Sequence, residues 1–353
     1  MSESLPPDIP AQFERPVTVW IDQPPGPTRK QYLIAFALLL VTFCTTLVVG
    51  SRLNYNYAHR LAPFARTEVS IPQFPVRWIL EDPHRLLGGL PFALAVMGIL
   101  LAHELGHYVL CVLYRVDATP PYFIPAPTLI GTMGAFIKIR SAFPSRKSLF
   151  DIGIAGPIAG FIVAVPITIV GLLRSYPVAT VPDAEIQLGT PLLFRALHGL
   201  FIHMGLQPHQ SISHLILHPL AIAGWTGMFA TSLNLLPGGQ LDGGHIVFAW
   251  SERAHKIVTW IATLLLIPLA YYKWIGWLMW GVVLYVTGLR HPMVYNDDRL
   301  DTKRKLLVGV AVLMLALSIV PAAVVDSGFV NIKGDLMGSA HELKELFVHF
   351  LRK

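Results

Sequence analysis

His103-Glu104-Leu105-Gly106-His107 stands inside an apolar run that opens near Leu86 and continues to Leu113. On a helix this H-E-x-x-H spacing puts two imidazoles one turn apart on the same face, where both can bind one zinc ion. Glu104 projects beside them as a candidate general base for a water that the metal activates. The flanks give the pattern its weight. Gly88-Gly89-Leu90-Pro91-Phe92-Ala93, Leu100-Leu101-Ala102 and Tyr108-Val109-Leu110-Cys111-Val112-Leu113 carry no charged residue. Ionisable side chains at membrane depth are expensive and mark function by default. The bland alternative is a buried polar cluster that only bonds to neighbouring helices.

Of the 353 residues, 54% are hydrophobic and 14% charged. Soluble domains carry about 25% charged residues, and several apolar runs here are long enough to span a bilayer. The composition therefore defines a membrane protein. The net charge of +6 resides mostly in Lys and Arg of loops that flank the apolar runs, where they set topology and meet anionic headgroups. No basic patch is interleaved with aromatics, so nucleic acid is not an expected partner. Cys44 and Cys111 are the two cysteines; both read as small buried hydrophobes, without a CxxC metal site or a disulfide framework.

Residues 1–30 are Pro-rich and read as an extended cytoplasmic tail. Arg29-Lys30 precede a first span over 31–50, which favours a cytoplasmic N-terminus. A loop up to residue 86 follows. The second span, 87–113, carries H-E-x-x-H in its cytoplasmic half, with His107 about 10 Å from the end near Arg115. Thr119-Pro120-Pro121-Tyr122-Phe123-Ile124-Pro125-Ala126-Pro127 is too Pro-rich for a helix. Gly131-Thr132-Met133-Gly134-Ala135-Phe136-Ile137-Lys138-Ile139-Arg140 then combines glycines with alternation, the signature of a short strand or hairpin. Lys138, Arg140, Arg146 and Lys147 make this loop basic, hence cytoplasmic. A third span, 149–173, contains Ala155-Gly156-Pro157-Ile158-Ala159-Gly160, small residues suited to close packing on the metal-bearing helix. The outer loop 174–218 holds His198, His203, His209, His214 and His218, read as structural or surface histidines. Within it, Leu192–Leu206 reads as an amphipathic cap.

The fourth apolar stretch, 219–250, is interrupted by Asn234-Leu235-Leu236-Pro237-Gly238-Gly239-Gln240-Leu241-Asp242-Gly243-Gly244-His245. Two glycine pairs and a proline break any helix, and non-helical backbone at membrane depth must be buried in protein or line a wet cavity. A carboxylate there needs a cation. Two histidines, Asp242 and a water make a tetrahedral catalytic zinc site with an open position. His245 competes as a ligand, although a supporting position behind the ligands suits it better. A hairpin of spans at 257–272 and 274–289, a last span at 306–325 and an amphipathic tail at 326–353 complete the chain.

The pair H-E-L-G-H (103–107) and N-L-L-P-G-G-Q-L-D-G-G (234–244), both in apolar stretches, resembles the site-2 protease family of intramembrane zinc metalloproteases. G-T-M-G-A-F-I-K-I-R (131–140) and F-D-I-G-I-A-G-P-I-A-G (150–160) look like its bacterial and chloroplast members. The resemblance implies a catalytic core over 87–250 that cleaves transmembrane segments of single-span membrane proteins, as in regulated intramembrane proteolysis. It implies His103, His107 and Asp242 as ligands of Zn2+, Glu104 as catalytic base and Asn234 as a residue holding substrate or oxyanion. It also implies that the strand around 131–140 receives unwound substrate. No segment reads as a PDZ domain or a CBS pair.

The expectations are therefore an all-α polytopic membrane protein of about six to seven transmembrane helices, with a short membrane-associated β segment near 131–140. The domains run 1–30 (cytoplasmic tail), 31–86 (first span and outer loop), 87–250 (catalytic core), 251–325 (additional spans) and 326–353 (tail). The bilayer is a bacterial inner membrane, with the active site towards the cytoplasm. A non-proteolytic metal-binding scaffold of the same fold is the alternative function.

Overall fold

The computed structural model describes residues 26–65, 72, 74–180, 186–288, 293–296, 298–325 and 327. The Pro-rich segment before residue 26 and the amphipathic tail lie outside the described residues, apart from Ser327. In chain order the elements are α1 (Arg29–Ala58), α2 (Val76–Glu81), α3 (Leu86–Leu113), β1 (Tyr122–Pro125), β2 (Thr132–Phe136), β3 (Phe143–Ser145) and α4 (Arg146–Leu173). Then come β4 (Tyr176–Pro177), α5 (Leu192–His203), β5 (Leu215–Ile216), α6 (Pro219–Asn234), α7 (Asp242–Trp250), α8 (Glu252–Tyr272), α9 (Gly276–Gly288), β6 (Val294–Asn296) and α10 (Thr302–Ser318).

Among the described residues, α1, α3 with the 3-10 turn before it, α4 and α8 are long and apolar enough to cross a membrane. The protein is thus a polytopic helical membrane protein, and α5 and α9 are shorter apolar helices beside those four. The first helix outruns the expected 31–50: it starts at a Thr28–Gln31 capping box and continues to Ala58. The last helix stops at Ser318 rather than near 325. Pro321 cannot continue a helix, and Ile319 has already turned to extended backbone.

The helix α4 is the hub, packed on α3, α6 and α7. Small residues make these contacts close. A Cβ on Gly106 of α3 would lie 2.6 Å from the Ala155 carbonyl of α4, and one on Gly171 would lie 2.2 Å from the Ala221 amide of α6. Pro91, Pro157 and Pro166 sit inside α3 and α4 without ending them, as helices supported by close neighbours in a bilayer permit. On α1 the buried stripe is Thr42, Thr46, Val49 and Leu53. Cys44 lies two residues off that stripe and is exposed, a correction to its expected burial, whereas Cys111 is buried.

The segment 131–140 contains the expected strand. Its partner, β1, comes from the Pro-rich stretch before it, antiparallel with Tyr122 opposite Phe136 and Phe123 opposite Ala135. The turn of this hairpin inserts against α1: Gly131 takes φ +84°, and the Thr45 hydroxyl donates to its carbonyl at 2.6 Å. Thr45 lies 16 residues beyond Arg29, about 24 Å along the helix. The hairpin therefore reaches deep into the apolar layer, as a two-stranded sheet with no third strand among the described residues.

Candidate metal centre

The two histidines of α3 are buried, with rings edge-to-face at 4.9 Å between centroids. Helical spacing alone puts them side by side; α4 fixes their orientation. His107 Nδ1 donates to the Ile152 carbonyl of α4 at 2.7 Å. A carbonyl can only accept, so Nδ1 carries the proton and Nε2 presents a lone pair. That Nε2 lies 3.2 Å from His103 Nε2.

Asp242 enters from the opposite side, as the first residue of α7 after the broken stretch. Its Oδ2 is 3.2 Å from His103 Nε2 and 3.3 Å from His107 Nε2. Despite that proximity, buried Oδ2 makes no well-formed hydrogen bond. Two imidazole lone pairs and an orphaned carboxylate oxygen converge, all within 4.8 Å of one another. Such a donor set is costly without a cation between the three atoms and satisfied with one. The residues present fit a tetrahedral metal of the zinc type. Among the described residues, this is the one group of three or more His, Cys, Asp or Glu so arranged.

The chain around Asp242 is shaped by its glycines. Gly239 takes φ +59°, and Cβ atoms on Gly243 or Gly244 would lie 2.3–2.4 Å from loop carbonyls. The loop is gripped from outside by the α8–α9 hairpin. The Thr259 hydroxyl accepts from the Gly239 amide and the Thr287 hydroxyl from the Gln240 amide, each at 3.3 Å, while His255 Nε2 donates to the Gly239 carbonyl at 2.9 Å.

Three further groups face the centre. Glu104 is buried on the histidine face, with the backbone amide of Ile137, just past β2, near its carboxylate. The Asn234 side-chain amide, at the end of α6, lies 3.0 Å from His103 Nε2. Gly153, Gly156 and Gly160 of α4 form the floor; a Cβ on Gly156 would stand 2.0 Å from His107 Nε2 and one on Gly160 would stand 3.1 Å from His103 Cβ. His245 is not among the converging donors. Its ring packs near Phe143 and against Gly153, behind Asp242. Two histidines of the 174–218 loop serve the scaffold: His198 bonds to the Gln210 carbonyl at 2.9 Å, and His218 caps α6 by accepting from the Leu220 amide at 3.1 Å.

Sequence reasoning did not find the Ile137 amide, Thr259, Thr287 or His255. A lone threonine or histidine inside an apolar helix carries no signal that separates it from its neighbours.

The helices and the converging donors define a polytopic membrane protein with a buried candidate metal site, two of its donors on the H-E-x-x-H helix α3 and the third on α7. The chain belongs to Peptidase family M50, whose profile matches residues 91–269, from early α3 through most of α8. It is 33% identical over 315 residues to probable zinc metalloprotease EGY1, chloroplastic, of Arabidopsis thaliana, covering 84% of this chain and 54% of that protein. It is 29% identical over 316 residues to the protein of the same name in Oryza sativa subsp. japonica, covering 84% and 52%. Probable zinc metalloprotease EGY2, chloroplastic, of Arabidopsis thaliana is 29% identical over 237 residues, covering 66% of this chain and 41% of that protein. The chain thus spans about half the length of the first of these curated relatives.

Proposed function

We propose that this protein is an intramembrane zinc metalloprotease that hydrolyses peptide bonds within or near the transmembrane segments of single-span membrane proteins. One observation carries the reading: His103, His107 and Asp242 converge on a single point in a buried site at membrane depth, with Glu104 on the same face. In this reading the three are the zinc ligands and residues 87–250 are the catalytic core. Residues 31–86 form the first span and outer loop, 251–325 the additional spans, and 1–30 and 326–353 the tails. Zinc bound there supplies a Lewis acid that makes water acidic enough to act as a nucleophile near neutral pH.

Glu104 takes a proton from the attacking water, its carboxylate lying near the Ile137 amide. As the tetrahedral centre collapses, Glu104 returns that proton to the leaving amine. The Asn234 amide donates to the oxygen that gains charge. Water reaches the site along the non-helical stretch between α6 and α7. His245 supports the Asp242 turn from behind. The basic loop with Lys138, Arg140, Arg146 and Lys147 supports an active site towards the cytoplasm.

A helical substrate hides its peptide bonds and must unwind. The β1–β2 hairpin has an open edge beside Glu104, suited to holding an extended peptide by backbone hydrogen bonds. Ala135→Pro is expected to impair cleavage while zinc content stays normal; unchanged turnover would count against the docking role. The reading as a whole is tested with purified protein in liposomes and a panel of single-span substrates. Wild type cleaves, and Glu104→Gln loses cleavage while keeping its zinc. A zinc-loaded wild type that cleaves none of the panel would instead support a non-proteolytic scaffold of the same fold.

A further inference from the structure

Three helices, α4, α8 and α10, begin at one end of the molecule, around a cavity of about 760 Å³ lined by Arg146, Arg253, Arg299 and Lys305 together with Glu252 and Trp250. Arg146 has an interaction of its own; the other three cationic side chains face one carboxylate, and that carboxylate is already bound to Lys256 at 2.9 Å. Two further acids among the described residues are also engaged: Asp298 with Lys147, and Asp301 with Arg304. Arg253, Arg299 and Lys305 have no acidic partner among the described residues. The cavity therefore holds an uncompensated positive charge, to which the N-terminal ends of the three helices add in the same sense.

Its level in the membrane narrows the ligand. A point where apolar helices start is the headgroup layer, and Trp250, half exposed at the end of α7, is a residue type that anchors there. The volume exceeds what a simple inorganic anion needs, and basic pockets between membrane helices at this level suit phosphorylated headgroups. We infer that this cleft binds the headgroup of an anionic phospholipid, with Arg253, Arg299 and Lys305 on its phosphate. The site is separate from the metal centre, and α7 runs between the two: Asp242 at one end, Trp250 at the cleft.

The test uses the full chain in detergent, with thermal unfolding followed while short-chain lipids are added. Dihexanoyl-phosphatidylglycerol is expected to raise Tm saturably, and dihexanoyl-phosphatidylcholine is not. The combined variant Arg253→Gln, Arg299→Gln, Lys305→Gln is expected to need about tenfold or more lipid for half the shift, since each cation near a charged headgroup contributes appreciably. Lys303→Gln, an exposed cation at the same surface but outside the cleft, is expected to match wild type. Should the triple variant fail to fold, Lys305→Gln alone carries the comparison, because its side chain is exposed. Equal shifts in variant and wild type would overturn the site. Equal shifts with both lipids would overturn its selectivity, and the full shift with inorganic phosphate alone would overturn the lipid as its occupant.

Discussion

Gly156 stands where a single methyl group would meet the metal centre. A Cβ there would lie 2.0 Å from His107 Nε2 and 2.4 Å from Cδ2, far inside van der Waals contact. The imidazole cannot easily retreat, because its Nδ1 is tied to the Ile152 carbonyl on the same helix as Gly156. Gly156→Ala must therefore tilt the ring or push α3 from α4. Overpacking of this kind costs about 1–3 kcal/mol, which falls directly on the donor geometry. Zinc affinity, measured by competition with a chelator, is expected to fall about tenfold or more while helical content stays unchanged. Gly98→Ala, also in a membrane helix but with open space around its Cβ, is expected to leave affinity as it was; equal losses in both would show that the effect is general. The small-residue run at 155–160 was legible as a close-packing signal. Which imidazole it faces was not, because periodicity gives the face of a helix and not its axial register against a neighbour.

The stretch 235–241 shows how far an element can be read from its letters. Its glycines and proline announced a break at membrane depth, and α6 and α7 do end and begin on either side of it. What holds the broken backbone was silent, because a helical threonine ordinarily bonds its own preceding turn. Thr287 does so, donating to the Val283 carbonyl at 2.6 Å, and also accepts from the Gln240 amide. The strand β1 was similarly hidden: proline excludes helix, but on an edge strand it is tolerated. The α8–α9 hairpin thus acts on Asp242 through the loop. Replacing Thr259 and Thr287 together with valine removes two acceptors from backbone amides, one of them buried and worth about 1 kcal/mol or more. The double variant is expected to lose about 1–2 kcal/mol of stability and to bind zinc more weakly. The serine pair, which keeps both hydroxyls, is expected to restore both properties. Weak zinc binding that serine does not rescue would shift the cause to packing of the hairpin.

Across the whole molecule, the donors come from α3 and from the start of α7, far apart in sequence and packed on the same central helix α4. The apolar patterning that made the spans legible describes each helix against lipid, and lipid is as apolar as the helix interface. The force that selects one arrangement must then come from close packing, from polar contacts and from the metal. A cation at the converging donors is a tertiary cross-link in just this sense, relieving the orphaned carboxylate while joining two elements. Stability should therefore depend on zinc by mass action: at a free concentration about 100 times Kd, binding to the folded state alone contributes about 2.7 kcal/mol. For a chain of this size that corresponds to a Tm shift of several degrees. Chelation is expected to lower Tm by that amount and re-addition of zinc to restore it, whereas Asp242→Ala, which lacks one donor, is expected to have a low Tm insensitive to either treatment. Glu104→Gln separates the structural role of the metal from its chemistry, because it leaves all three donors in place. It is expected to follow wild type in zinc-dependent stability, and a Tm in this variant that ignored zinc would place Glu104 among the ligands rather than beside them.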